Sequence, residues 1–161
     1  LEDSKKIFSY ILEYLSKTGP LPEIYIMGRS LGTACALEIV DIFESSLNGV
    51  IIESGFYTEK PLFDLFGLDP SQFNYKDESD GFNNKKKAEK STIKSLVIHA
   101  REDHILPFEQ GRIMKLNLFN VHCVYNHSDK NRYHMIVHGR TGRSWDSKIF
   151  DSYNYWKNIY Q

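Results

Sequence analysis

A chain of 161 residues is long enough to bury a core without disulfides or metals, and its length fits one domain. Apolar residues make up 41% and charged residues 25%, with a formal net charge of −1, so there is no electrostatic case for nucleic acid or an anionic membrane as partner. No apolar run approaches the roughly 18 residues that would span a bilayer. The first residues, Leu1-Glu2-Asp3-Ser4-Lys5-Lys6, lack the apolar stretch of a signal peptide and open without Met, as at a processing boundary. Two cysteines, Cys35 in an apolar helical stretch and Cys123 in an alternating one, read as small buried hydrophobes rather than a disulfide framework. A reducing, cytoplasmic setting is the expectation.

Ile7, Ile11, Tyr14 and Leu15 recur at helical spacing, which predicts an amphipathic helix over roughly the first 17 residues. Thr18-Gly19-Pro20 ends it, because Gly suits a C-cap and Pro cannot continue a helix. Glu23–Met27 reads as a short strand. An apolar helix follows, with Cys35, Ile39, Ile42 and Phe43 on one face, and Gly49–Glu53 is the next strand. Between Phe56 and Ile93 the periodicity weakens, and residues 57–92 are expected to form a solvated loop or small cap over the sheet. Within it, Asp77, Glu78 and Asp80 precede Asn83-Asn84-Lys85-Lys86-Lys87 in a mixed-charge stretch. Ser95–His99 is the clearest strand, a helix follows Pro107, Val121–Tyr125 is a fourth strand, and Ile149, Tyr153, Trp156 and Tyr160 mark a terminal helix. Strands that alternate with helices, two of them continuously apolar, predict an α/β fold. Its sheet is mostly parallel and flanked by helices, in one domain over residues 1–161.

Gly28-Arg29-Ser30-Leu31-Gly32 fits G-x-S-x-G, and its setting matters more than its letters. A strand run precedes it and an apolar helix follows, as a nucleophile elbow requires. The elbow reading gives Gly28 and Gly32 the task of allowing a turn too tight for side chains. Ser30 then stands at the C-terminal end of a strand and the N-terminus of a helix, where positive potential and free N–H groups favour a developing oxyanion. The Leu31 backbone N–H is the expected donor. The bland alternative is a turn in which Ser30 only caps a helix.

The run Met27 to Glu38 resembles a serine aminopeptidase-like subfamily of α/β-hydrolases, and so does Gly49-Val50-Ile51-Ile52-Glu53-Ser54-Gly55-Phe56. The resemblance continues through Gly67-Leu68-Asp69-Pro70, Gly81-Phe82, Leu96-Val97-Ile98-His99 and Asp103-His104-Ile105-Leu106-Pro107. It covers residues 20 to 115 well and the remainder weakly. It implies that Asp103 is the acid of a Ser-Asp-His triad, with Ala100 where the family usually has Gly and Glu102 as a chemical rival. The base should come last in the chain. His134 leaves room after Asp103 for a helix, a strand and a loop, and apolar Met135-Ile136-Val137 follows it. The family's Gly-His-Asn-Asp is replaced here by Tyr133-His134-Met135-Ile136, so His127 and His138 remain alternatives.

The resulting expectation is a serine hydrolase that cleaves an ester, thioester or amide through an acyl-enzyme on Ser30. Its partner would be a small-molecule acyl substrate; no cofactor is implied and no residue cluster has zinc spacing. A transacylase would use the same triad, and a non-catalytic scaffold of the same fold is the rival from another class. Phe56, Tyr57, Leu62 and Phe66 suggest an apolar acyl pocket. The resemblance also places the elbow after the fifth of eight strands, so that this chain would be the C-terminal part of the domain. The strand Glu23–Met27 would then present an open edge at which the chain could self-associate.

Overall fold

The computed structural model describes residues 1–75, 81–101, 103, 105–117 and 121–126, with side chains as far as Met114. The expected terminal helix, the three candidate bases His127, His134 and His138, and the rival acid Glu102 lie outside the described residues.

Helix α1 (Glu2–Thr18) opens with Glu2 and Asp3 and closes with Lys17, charges that complement its dipole. It is anchored by Phe8, which is buried and meets Phe43 edge-on at 5.2 Å between ring centroids. Strand β1 (Tyr25–Arg29) is followed by α2 (Gly32–Phe43) and β2 (Gly49–Glu53). Next come two short helices, α3 (Lys60–Phe66) and α4 (Asn84–Lys90), then β3 (Ser95–Ala100), α5 (Phe108–Asn117) and β4 (Val121–Asn126). The four strands form one sheet in chain order, and each neighbouring pair is parallel. Parallel neighbours need a crossover, and α2, the 57–92 segment and α5 supply the three. No helix among the described residues is long and apolar enough to cross a membrane.

β1 begins two residues later than its propensity suggests and runs on through Gly28 and Arg29. The cause is its ladder with β2, which pairs Gly28 with Ile52 and Arg29 with Glu53. Sheet pairing here overrides the poor strand propensity of glycine. β2 is buried at every position, whereas β1 is half-buried at all but Gly28 and pairs with β2 alone among the described strands.

One face of the sheet carries the main core. Ala36, Leu37 and Val40 of α2 pack with Val50 and Ile52 of β2, Val97 of β3, Ala88 of α4 and Met114 of α5. The 57–92 segment is more deeply anchored than its polarity suggests. Asn84 and Lys87 of α4 are buried. Lys87 pairs with Glu38 of α2 and donates to the Phe82 carbonyl at 2.7 Å, while Asn84 donates to the Phe56 carbonyl at 3.1 Å. The polar stretch expected around Asn83–Lys87 is therefore a packed helix whose charge is satisfied by a partner distant in sequence.

Candidate active site

Ser30 follows the last residue of β1 directly, with α2 beginning two residues later. Its φ is 49°, in the left-handed region that a residue bearing a Cβ occupies only at a cost of about 1–3 kcal/mol. Hydrogen bonds on both sides hold it there. The Ser30 N–H donates to the Glu53 carbonyl at 3.1 Å, which extends the β1–β2 ladder by one rung, and the Ser30 carbonyl accepts from Thr33 N–H at 3.0 Å in the first turn of α2. Leu31 is the N-cap of that helix, where an N–H has no intrahelical acceptor.

The two glycines of the motif have different standing. A Cβ on Gly28 would lie 2.6 Å from the Ala36 Cβ and 2.7 Å from the Gly32 carbonyl oxygen. The strand and helix therefore approach more closely there than any side chain permits. A Cβ on Gly32 would meet nothing within 4 Å. The tightness expected at both glycines resides at Gly28 alone.

Asp103 lies just past β3, on the loop that leads into α5, and its side chain is fully buried. Its Oδ1 accepts from Ile105 N–H and Leu106 N–H, each at 2.9 Å. The Arg29 guanidinium feels the charges of Glu53 and Asp103; burial pulls its pKa below the ordinary arginine value, and these two carboxylates oppose the shift.

The loops that carry these residues converge. Ala34 in the first turn of α2, Phe56 after β2 and Leu106 after Asp103 form one buried apolar cluster, against which Leu62, Phe82 and Ile105 pack. Phe56 and Phe82 meet edge-on at 5.7 Å. The serine turn and the Asp103 loop are thus tied to the same small core. Two of the aromatics expected to line an acyl pocket are spent on packing, since Phe56 and Tyr57 are buried, while Phe66 is exposed. His99, which sequence reasoning treated only as a strand end, is a further residue of this region. It is fully buried beside Asp103, its Nε2 3.7 Å from Oδ2. A histidine inside an otherwise apolar strand was the available signal, because a buried imidazole needs partners. Among the described residues no group of His, Cys, Asp or Glu is placed to hold a metal ion.

No protein-family model matches the chain. It is 28% identical to lysophosphatidylserine lipase ABHD12 of Macaca fascicularis, over 84% of this chain and 39% of that protein. The chain thus spans about two fifths of that relative's length. Among solved structures, the monoacylglycerol lipase of Paleococcus ferrophilus is similar with a TM-score of 0.65 and 17% identity, over 99% of this chain and 76% of that one. The uncomplexed acylaminoacyl peptidase of Pyrococcus horikoshii also gives a TM-score of 0.65, with 19% identity over 99% of this chain and 27% of its own. Est1E from Butyrivibrio proteoclasticus gives 0.58 and 19%, over 71% and 55%. At such identities the likeness is one of fold. The chain shares the fold of these proteins, the α/β-hydrolase fold, with its parallel sheet and covering helices.

Proposed function

We propose that the chain carries the triad of a serine hydrolase that cleaves an ester, thioester or amide, with Ser30 as nucleophile, Asp103 as acid and His134 as base. The observation that carries this reading is the left-handed backbone of Ser30 at a strand–helix turn. Strain of that kind persists only where the surroundings enforce it, and it lifts the hydroxyl clear of the sheet at a helix N-terminus. Neighbouring strands lie about 4.8 Å apart, so the ends of β1 and β3 are separated by about 10 Å. An imidazole supplied by the chain beyond β4 fits that interval and follows the order Ser, Asp, His.

His134 takes the proton of Ser30 as the serine oxygen attacks the acyl carbonyl. Asp103 fixes the imidazole tautomer and stabilises its charged form. The Leu31 N–H stabilises the oxyanion, and Gly28 and Gly32 flank the turn that aims the serine. The leaving group departs with the proton held by His134, and water then hydrolyses the acyl-enzyme with His134 again as base. The relatives' names cover lipids and an acylated peptide, which share an acyl carbonyl. The 57–92 segment acts as the cap of the site, and the setting is cytoplasmic.

A fluorophosphonate probe tests this on the full-length protein. Ser30 should take the label, and Ser30→Ala should lose it. Hydrolysis of an activated ester should fall by several orders of magnitude; removal of a triad serine in one protease costs ~10⁶. If Ser30→Ala leaves labelling and hydrolysis unchanged, the hydrolase reading is wrong and a binding scaffold takes its place.

A further inference from the structure

We infer that His99 is a positioning residue for Asp103: its imidazole holds the Leu106 backbone, whose amide in turn holds the Asp103 carboxylate in place. The inference rests on the hydrolase reading for its catalytic part and on geometry alone for its structural part.

The His99 ring has no exposure, and its Nε2 lies 3.0 Å from the Leu106 carbonyl oxygen. A carbonyl can only accept, so Nε2 carries the proton and donates. The same nitrogen is 3.7 Å from Asp103 Oδ2, beyond hydrogen-bond distance, so the ring lies beside the carboxylate while its N–H serves Leu106. The Leu106 N–H meanwhile donates to Oδ1. Leu106 is therefore gripped at both ends of its backbone, by Asp103 through the amide and by His99 through the carbonyl. Asp103 Oδ1 also accepts from the Ile105 N–H, so the amides of two loop residues and the carbonyl of one are tied to the Asp103–His99 pair.

The ring is itself held from behind. A Cβ on Gly111 of α5 would lie 2.6 Å from His99 Nδ1 and 2.8 Å from its Cβ, so the α5 backbone is pressed against the imidazole. Phe108 meets the ring edge-on at 6.1 Å. A side chain confined by a strand, a helix backbone and an aromatic ring has little freedom to turn, which is what fixing a loop to within about 0.5 Å demands.

Two variants of the full-length protein separate donor from bulk. His99→Phe fills the space and removes the donor; His99→Gln places an amide N–H near the Nε2 position. Amide hydrogen exchange at Ile105 and Leu106 should quicken at least about tenfold in His99→Phe and return toward wild type in His99→Gln. For an activated ester, kcat should fall about 10- to 100-fold in His99→Phe with KM unchanged, and His99→Gln should recover most of it, since a displacement near 1 Å can cost about 10²-fold. Exchange that is unchanged in His99→Phe overturns the inference, whatever happens to activity. If His99→Phe does not fold, fast exchange at Ile105 and Leu106 in a folded His99→Gln overturns it as well, as does the failure of both variants to fold. Altered and rescued exchange in a protein whose Ser30 takes no probe leaves the turn assignment standing and refutes the hydrolase reading instead.

Discussion

Gly28→Ala and Gly32→Ala are the same substitution within one five-residue motif, and the structure assigns them opposite signs. Carbon atoms in contact sit about 3.5–4.0 Å apart. A methyl group on residue 28 would stand 2.6 Å from the Ala36 Cβ and 2.7 Å from the Gly32 carbonyl oxygen. It would thus be short by about 1 Å on two sides. Neither neighbour can rotate away, since one is the only side-chain carbon of an alanine and the other is backbone. Relief requires the N-terminal half of α2 to slide off β1 by a comparable amount. Overpacking of this kind costs about 1–3 kcal/mol, and the upper end applies where no rotamer change can help. The shift also carries Ser30 and Leu31 with it, so activity on an activated ester should fall about 10²-fold beyond any loss of folded protein. Residue 32 has open space and no positive φ, so alanine there should be neutral or stabilising by up to about 1 kcal/mol. Urea unfolding of the two variants beside wild type measures both quantities. Equal midpoints for Gly28→Ala and Gly32→Ala would refute the close approach.

Burial works to raise the Glu38 carboxyl, but hydrogen bonding and charge from Lys87, and then from Lys5, hold it below its ordinary 4.5. A carboxylate lowered in this way contributes stability that is complete above its unfolded pKa and lost as pH falls through the folded one. Glu38→Gln should therefore be less stable than wild type by about 2 kcal/mol at pH 7, with the gap closing below pH 4.5; a gap independent of pH by urea titration would contradict the pairing. The buried Gln110 Oε1 accepts from Tyr57 N–H at 2.9 Å and Thr58 N–H at 3.1 Å. Gln110→Leu strands both donors and should destabilise by at least about 2 kcal/mol, while Gln110→Glu, which keeps the acceptor, should recover more than half on the same denaturation assay.

The strands β2 and β3 were legible because a parallel strand covered on both faces reads as an unbroken apolar run, and Gly49–Glu53 and Ser95–Ala100 are buried almost throughout. The register of β1 was less legible. Gly28 and Arg29 look like turn residues until the ladder with Ile52 and Glu53 is known. α4 was invisible to periodicity, since Asn84, Lys85, Lys86 and Lys87 carry no apolar signal and the reason Lys87 is inside, its pairing with Glu38, lies 49 residues away. At the site, the serine turn could be read from a strand–motif–helix sequence, and the place of Asp103 on the loop after β3 from the end of a clear strand. The contacts of His99 could not be read so, because they depend on a loop carbonyl and a helix glycine that meet only in three dimensions.

The connection between β2 and β3 has a consequence for how this fold can vary. Tyr25 pairs with Gly49 and Ser95 with Val121, but Val50 reaches its partner only at Ser95, so the middle closure spans nearly twice the chain of either neighbour. Loop-closure entropy grows only logarithmically, and a doubling costs about 0.6 kcal/mol. That is less than the contribution of one satisfied buried hydrogen bond, and Asn84 to the Phe56 carbonyl is one such bond returned by the longer path. Length added between these two strands is therefore nearly neutral for folding, whereas the shorter closures on either side must seat α2 and α5 directly on the sheet. Length can thus be added to this connection outside its anchored residues, Tyr57, Asn84, Lys87 and Ala88, without re-solving the packing beneath it.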